Sequence, residues 1–380
     1  MRIEPFQASY PNFDFIASPD SFCEEVKNSF REFKANGLFD ISPEPAFYVY
    51  RMETASGKHT GIIALNDVQD YFAGKIKKHE KTLSGREQRQ MQLFLQWNAI
   101  LKPVLLTYPP APEISRWLDD FAEANTPLFT TYFEKDRQTH RVWAVTDPVE
   151  ILHLQELFTR EIPCTYIADG HHRTSTVALL HERLKFKNRS LDFSHLMCAF
   201  FPADQLDILD YNRVVEIPRA LNPAQFMTGI SELFDIETLT RARKPLAKHE
   251  IILYFRSDWY SLRWKPEILG KQPKNHVILD ASLLNELVLR DIIGIRDVRT
   301  DTRILYVEGT KGIEGVRKAA GAGEGRIGFL LHPVSFEDLM RVADAGDSLP
   351  PKSTYFEPRI KSGMLVKLLK GGGMDVFAGV

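Results

Sequence analysis

Apolar residues recur at helical spacing at Phe22, Val26, Phe30 and Phe33, behind Asp20 as N-cap and ahead of Gly37, which predicts a first helix with an aromatic buried face. AFYVYRM and TGIIAL around Ser56-Gly57-Lys58 predict a β-hairpin, as do PLFTTYF and HRVWAV around KDRQ. Between the hairpins, Asn66 is expected to cap a helix through DVQDYFAGKIKKHE. Ser84 and Glu87 form an S-x-x-E capping box for a longer helix ending before Pro103, so IKKHE would sit at a corner between helices. A helix after Pro148, the strand PCTYIA, a helix over about 171–187, the strand HLMCAFF and the stretch LDILDYNRVVEIP complete the first half.

The second half alternates. A helix near Ala224–Phe234, a hairpin in EIILYFRSDWYSLRW, a helix from Asp280, the strand RILYVEG, the helix GVRKAA, the strand RIGFLLHPV and the helix SFEDLMRVADAG follow in turn. This order is that of a mixed α/β or α+β protein, with a domain boundary near residue 217 and a loose tail in GGGMDVFAGV.

Composition narrows the function classes. With 44% apolar and 26% charged residues the chain is expected to fold throughout, and a net charge of −2 argues against nucleic acid as a partner. No apolar run approaches the roughly 20 residues that span a bilayer, and the N-terminus lacks a secretory pattern, so no membrane association is expected. Cys23, Cys164 and Cys198 form no CxxC pair, which fits a reducing cytoplasm.

The chemistry concentrates in YIADGHHRTSTVALL, residues 166–180. A strand delivers Asp169 and Gly170 to the start of a helix whose Val177, Leu180 and Leu184 form an apolar stripe. Free amides and the positive end of the helix dipole make such a mouth an anion site, to which Arg173 adds a bidentate donor. The same field favours Asp169 as a carboxylate and disfavours protonation of His171 and His172, by roughly 0.3–1 kcal/mol each. Asp169 therefore suits a base or a Mg²⁺ ligand. A capping Asp with two structural histidines is the plain alternative, but four such groups in five residues favour a site.

Two further stretches are candidates. In GKIKKHEKT, residues 74–82, the lysines read as a solvated helix face, and His79-Glu80 is no HExxH motif because Leu83 stands where the second histidine belongs. Glu80 would serve as a general base if the fold brought it to the DGHHR mouth, with His79 beside it as a binding group. In LPPKSTYFEPRIKSG, residues 349–363, Lys352, Ser353 and Thr354 offer the donors of a phosphate cradle without the glycines of a P-loop. Gly323-x-Gly325-x-x-Gly328 follows a helix and leads into a strand, the reverse of a dinucleotide site. Arg141 and Arg213 lie beside apolar strands, where salt-bridged pairs are the default.

IKKHEKT, HRVWAV, YIADGHHR, NRVV and PPKSTYF, in this order, resemble a bacterial and archaeal family known as domain of unknown function 1015. Its DGHHR stretch is similar to the signature of the ParB and sulfiredoxin superfamily, whose members bind nucleotide phosphates where a strand enters a helix. His171 replaces the cysteine that sulfiredoxins need after the glycine, and the acidic residue and paired arginines of ParB proteins are missing. The nearest local match is to free-serine kinases, whose Asp-Gly-His-x-Arg is met by Asp169, Gly170, His171 and Arg173, and which use a glutamate from a separate helix.

The resemblance implies a ParB/sulfiredoxin-like domain over residues 1–217 and an additional C-terminal α/β domain over 218–380, whose 349–363 loop returns to the site. It also implies ATP or ADP as cofactor with Mg²⁺ at Asp169, and a small hydroxyl substrate, free L-serine among the candidates. Asp169, Glu80, His171 and His172 are the catalytic candidates. Gly170, Arg173, His79, Arg141, Arg213, Lys352, Ser353 and Thr354 are the nucleotide-binding ones. A non-catalytic nucleotide-binding or regulatory protein and a metal-dependent hydrolase using Asp169, His171 and His172 stay open, as does the choice between monomer and homodimer.

Overall fold

The computed structural model describes residues 1–184, 191–273 and 276–369. The helix end expected at 187 and the tail GGGMDVFAGV lie outside the described residues. The chain is a mixed α/β protein that divides into two compact units, Met1–Asp207 with Pro358–Val380, and Ile208–Glu357.

The first unit is built on a nine-stranded mixed sheet. Its order is Ile76–Lys77, Thr165–Asp169, Val104–Tyr108, His195–Pro202, Gly57–Asp67, Phe47–Thr54, Gln138–Val145 and Phe129–Phe133, with Ile3–Glu4 added beside Gly57–Asp67. The central strands are buried on both faces: Phe47, Tyr48, Val49, Tyr50, Ile62, Ile63 and Ala64 are all fully inaccessible. Continuous apolar runs of this kind belong to sheets covered on both sides. One cover is the helix Pro19–Ala35, which buries Phe22, Val26 and Phe30. Its N-cap is Ser18, whose hydroxyl accepts from the Ser21 amide, and the expected cap Asp20 sits two residues further on, in the first turn.

A smaller sheet orders Phe39–Ile41, Ala8–Pro11, Val366–Leu368 and Ala99–Ile100. Because Val366–Leu368 is an inner strand of this sheet, the end of the chain from Pro358 belongs with the first unit. The boundary also differs from residue 217. The NRVV stretch lies in the strand Tyr211–Glu216, which pairs with Ile304–Glu308 and Arg326–Leu331, so those hydrogen bonds tie it to the second unit.

IKKHE does not extend a helix. The helix after the first hairpin covers only Val68–Phe72, capped by Asp67 instead of Asn66, which is buried in the preceding strand. Gly74 takes φ +72, a conformation that ends a helix cheaply only for glycine, and Ile76–Lys77 then adds a strand parallel to Thr165–Tyr166. The longer helix, Ser84–Trp97, starts from Leu83 with no side-chain cap, and Glu87 hydrogen-bonds Thr82 and Ser175 instead of closing a box with Ser84.

The second unit is a six-stranded antiparallel sheet in the order Phe234–Leu239, Asp258–Trp264, Glu250–Phe255, Arg326–Leu331, Tyr211–Glu216 and Ile304–Glu308. One face carries Phe226, Ile230, Leu284 and Val288; the other carries Val316 and Ala320 against Val214, Ile252 and Leu330. The helix from Asp280 continues from Leu284 to Arg290 in π form. Gly328 sits under the Val316 side chain, where an added Cβ would come within 2.4 Å, so the third glycine of the GxGxxG match serves helix–sheet packing.

Candidate functional site

Strand register assembles the site. Thr165–Asp169 lies between Ile76–Lys77 and Val104–Tyr108. Against the second neighbour, Ile167 pairs with Leu106 and Asp169 with Leu105, so Ala168 is an extra residue and the strand bulges just before the aspartate. Gly170 follows at φ +111, and the helix His171–Leu184 begins at once. The Thr174 amide and hydroxyl both bond the Gly170 carbonyl, at 2.9 and 3.2 Å, which fixes the first turn.

Arg173 folds back over the glycine. Its Nη2 donates to Asp169 Oδ2 at 2.7 Å and would stand 2.7 Å from a Cβ at position 170. Gly170→Ala therefore meets both a strained backbone and the guanidinium. The expected cost is about 1–3 kcal/mol of stability, measured by chemical denaturation, with the Arg173–Asp169 pair displaced.

Asp169 collects more positive charge than the motif supplies. The antiparallel register with Leu105 brings Lys102 alongside, its Nζ 3.4 Å from Asp169 Oδ2. Lys27, from the helix Pro19–Ala35, and Arg359, from the returning C-terminal segment, also bear electrostatically on this group. The Gly363 amide donates to the Leu101 carbonyl at 2.7 Å and Gly363 packs on Val26, which ties the Arg359 segment, the Lys102 loop and the Lys27 helix together.

Burial alone would raise the Asp169 pKa. Arg173 and Lys102 overcome it and hold the carboxyl far below the usual range. Burial lowers Lys102 to about 8, with Asp169 opposing. Neither Lys27 nor Lys102 belongs to a motif that the sequence marks for chemistry, and Arg359 lies in the 349–363 stretch beyond its Lys-Ser-Thr.

The parallel strand Ile76–Lys77 carries the chain on to His79 and Glu80 beside the helix mouth. The His79 amide donates to His171 Nε2 at 3.5 Å, and Glu80 Oε2 lies 3.5 Å from His171 Nδ1. The two imidazoles meet edge to face, with centroids 4.5 Å apart. Burial, reinforced by His79, pushes His171 well below its ordinary value, and burial lowers His79 to about 4; both rings are neutral at pH 7. With Nε2 accepting, the His171 proton resides on Nδ1, facing Glu80. His79 is only 2% exposed and its Nδ1 finds no partner among the described residues. His172 is lowered by burial and by Arg86, against Glu87.

Asp169, Gly170, His171, His172, Arg173, His79 and Glu80 thus come together. Arg141 does not join them. Arg141 pairs with Glu53 on the adjacent strand, five places along the sheet order from Asp169's strand, and its neighbour His140 is buried against Tyr50. Arg213 belongs to the second unit, where it is fully buried, donates to the Tyr211 and Lys352 carbonyls, and lies over the Tyr306 ring.

Lys352, Ser353 and Thr354 also belong to the second unit. The Lys352 ammonium lies over Tyr211 and the Ser353 hydroxyl donates to the Pro350 carbonyl, contacts that hold a turn. Within the 349–363 stretch it is Arg359 that shares a unit with Asp169.

Metal chemistry finds little support in this donor set. Asp169 Oδ2 is already shared by two cations, and both His171 nitrogens are engaged. Among the described residues no three His, Cys, Asp or Glu side chains group to hold an ion. The residues present do not fit a magnesium site at Asp169, because Arg173 and Lys102 hold the places and the charge that a cation would need. The hydrolase reading through Asp169, His171 and His172 loses its basis for the same reason.

The family profile of DUF1015, "Protein of unknown function (DUF1015)", matches residues 9–287, and the chain belongs to that family. No curated protein matches it in sequence. Among solved structures it is similar to "SbnI with C-terminal truncation from Staphylococcus aureus", with a TM-score of 0.43, 12% identity, and coverage of 80% of this chain and 85% of that one. It is also similar to "Free serine kinase in complex with AMP", with a TM-score of 0.39, 12% identity, and coverage of 80% and 92%. A "Conserved hypothetical protein from Pyrococcus furiosus" has a TM-score of 0.38 at 13% identity, with coverage of 80% and 95%. At such distances these likenesses assign neither fold nor chemistry to this chain. Among the described residues no helix is long and apolar enough to cross a membrane.

Proposed function

We propose that the protein is a nucleotide-dependent phosphotransferase acting on a small hydroxyl metabolite, L-serine being the first candidate. The observation that carries this reading is the meeting of Arg173 and Lys102 on one carboxylate at a helix N-terminus, with Lys27 and Arg359 bearing on the same groups electrostatically and Glu80 beside the same mouth. Phosphoryl transfer asks a protein for charge stabilisation and alignment, with little covalent chemistry.

In this reading the cations and first-turn amides hold the phosphates of ATP or ADP. The acceptor oxygen bonds to the terminal phosphorus, the bond from that phosphorus to the bridging oxygen breaks, and the acceptor proton passes to Glu80. Neutral His171, its proton on Nδ1, orients the Glu80 carboxylate. Asp169 keeps Arg173 and Lys102 aligned and accepts a hydrogen bond from the acceptor. Chromatographic analysis of nucleotide consumed with L-serine and a panel of small alcohols tests the reading; it fails if nucleotide is never consumed in an acceptor-dependent way.

A pH dependence follows. Lys102 is charged below about 8, and a bound phosphate favours that charged form. ADP affinity is expected to be full at neutral pH and to fall as pH rises through about 8. The loss is roughly tenfold or more, the worth of one charged hydrogen bond. The ADP phosphate, with its last ionisation near pH ~6, does not titrate in that window. Calorimetry across the window checks this, and a flat profile would remove Lys102 from the phosphate contacts.

A further inference from the structure

The second unit holds a pocket of its own. Tyr211 at the start of one strand, Leu331 at the end of the strand paired with it, and Asp338 in the first turn of the helix Phe336–Asp344 all line it. It measures about 370 Å³ with its open mouth included, which limits an occupant to a small molecule. Leu279, Leu331 and Val334 give the lining an apolar side, and Lys248, Asp338 and His332 give it polar groups.

The polar groups are held in place and keep bonding capacity. Lys248 Nζ donates to Asp338 Oδ2 at 2.7 Å, the two side chains being 37% and 12% exposed. The Asp338 amide donates to the hydroxyl of the Ser335 cap at 3.0 Å, and the positive end of the helix favours its carboxylate. Next to Lys248, His249 takes φ +74 and is fastened to Asp280, which accepts from its amide at 2.9 Å and its ring Nδ1 at 3.1 Å. Asp280 also accepts from Trp264 Nε1 at 3.1 Å, so it is occupied in holding the wall. Among the described residues Asp338 Oδ1 accepts no hydrogen bond, and Lys248 donates only to Asp338. His332 Nδ1 faces the Pro333 carbonyl at 3.0 Å and therefore donates to it, which in the neutral ring leaves a lone pair on Nε2.

We propose that this pocket binds a small apolar α-amino acid. Lys248 takes the carboxylate with its remaining N–H donors, Asp338 Oδ1 and His332 Nε2 take the ammonium, and Leu279, Leu331 and Val334 receive the side chain. A ligand whose two opposite charges sit on neighbouring atoms matches an ion pair whose own charges lie 2.7 Å apart. A phosphate would meet the Asp338 carboxylate beside the lysine, and a simple acid or amine would leave one member of the pair unmatched. All the lining residues belong to Ile208–Glu357, so the test is independent of the phosphotransferase reading.

Titration calorimetry of the full chain with L-valine and L-leucine, beside isovalerate and isobutylamine, provides that test. Saturable binding of at least one of the amino acids is expected, with the acid and the amine each weaker by roughly tenfold or more, the loss of one charged hydrogen bond. Lys248→Met and Asp338→Asn should weaken amino-acid binding by a similar factor. Binding of neither amino acid would overturn the proposal. Isovalerate or isobutylamine binding as well as the amino acids would overturn the recognition of paired charges, and unchanged affinity in Lys248→Met would place the ligand elsewhere. Should Asp338→Asn fold poorly, Lys248→Met, at a partly exposed side chain, and the wild-type titrations still decide the question.

Discussion

Glu80→Gln is expected to lower the rate of phosphoryl transfer by roughly 10²–10⁴-fold, the usual contribution of a positioned general base. Nucleotide affinity should stay close to that of the wild type, because Glu80 faces His171 Nδ1 while the phosphates are assigned to the cations around Asp169. The amide matches the carboxylate in shape and keeps an oxygen toward the His171 N–H, so loss of fold is not expected. Single-turnover rates and calorimetric affinities, measured side by side, check it. A parallel loss of affinity would mean that Glu80 shapes the binding site instead of acting as base, and an unchanged rate would remove it from the chemistry.

Arg173→Met should weaken nucleotide binding by roughly 10–100-fold, the equivalent of 1.5–3 kcal/mol for charge-assisted hydrogen bonds to a phosphate. Arg173→Lys should recover little of this. The guanidinium presents a rigid fork of donors, and in this structure one arm already bonds Asp169 Oδ2 at 2.7 Å while Nε stays inaccessible and finds no partner among the described residues. A single ammonium cannot hold the aspartate and a phosphate at once in that geometry. Equal affinity in Arg173→Lys and the wild type would show that Arg173 contributes charge alone.

The strand–turn–helix at residues 165–184 was legible because its signals are local: a β-like run, a glycine, and an apolar helical stripe. Both hairpins of the first unit and the alternating elements of the second were legible for the same reason. IKKHE was not. Its lysines mimic a solvated helix, and the two-residue strand Ile76–Lys77 exists only because Thr165–Tyr166, some 90 residues on, offers a parallel partner. That pairing is what brings Glu80 to His171, a meeting that chemistry suggested and spacing could not supply.

The cations were hidden more thoroughly. Lys102 reaches Asp169 through the register of an antiparallel pair, and Lys27 and Arg359 belong with the same site through a helix and a returning segment fastened at Gly363. Nothing in the neighbourhoods of Lys27 and Lys102 marks them, and the stretch that holds Arg359 drew attention to its Lys-Ser-Thr instead. The helix dipole, a small effect, gives the right direction for Asp169 and the histidines. In the structure burial leads the histidine shifts, and Arg173 with Lys102 keeps Asp169 ionised. Burial depends on the whole fold and has no local signature.

The most direct test of the phosphotransferase account is phosphorus NMR of the purified full-length protein with ATP or ADP, with and without magnesium, L-serine and a panel of small hydroxyl compounds, beside the Glu80→Gln variant. The account predicts a new phosphomonoester signal that requires an acceptor and is lost in the variant. Unchanged nucleotide under every condition would contradict it and leave a binding protein, and phosphate released without any acceptor would contradict it in favour of hydrolysis.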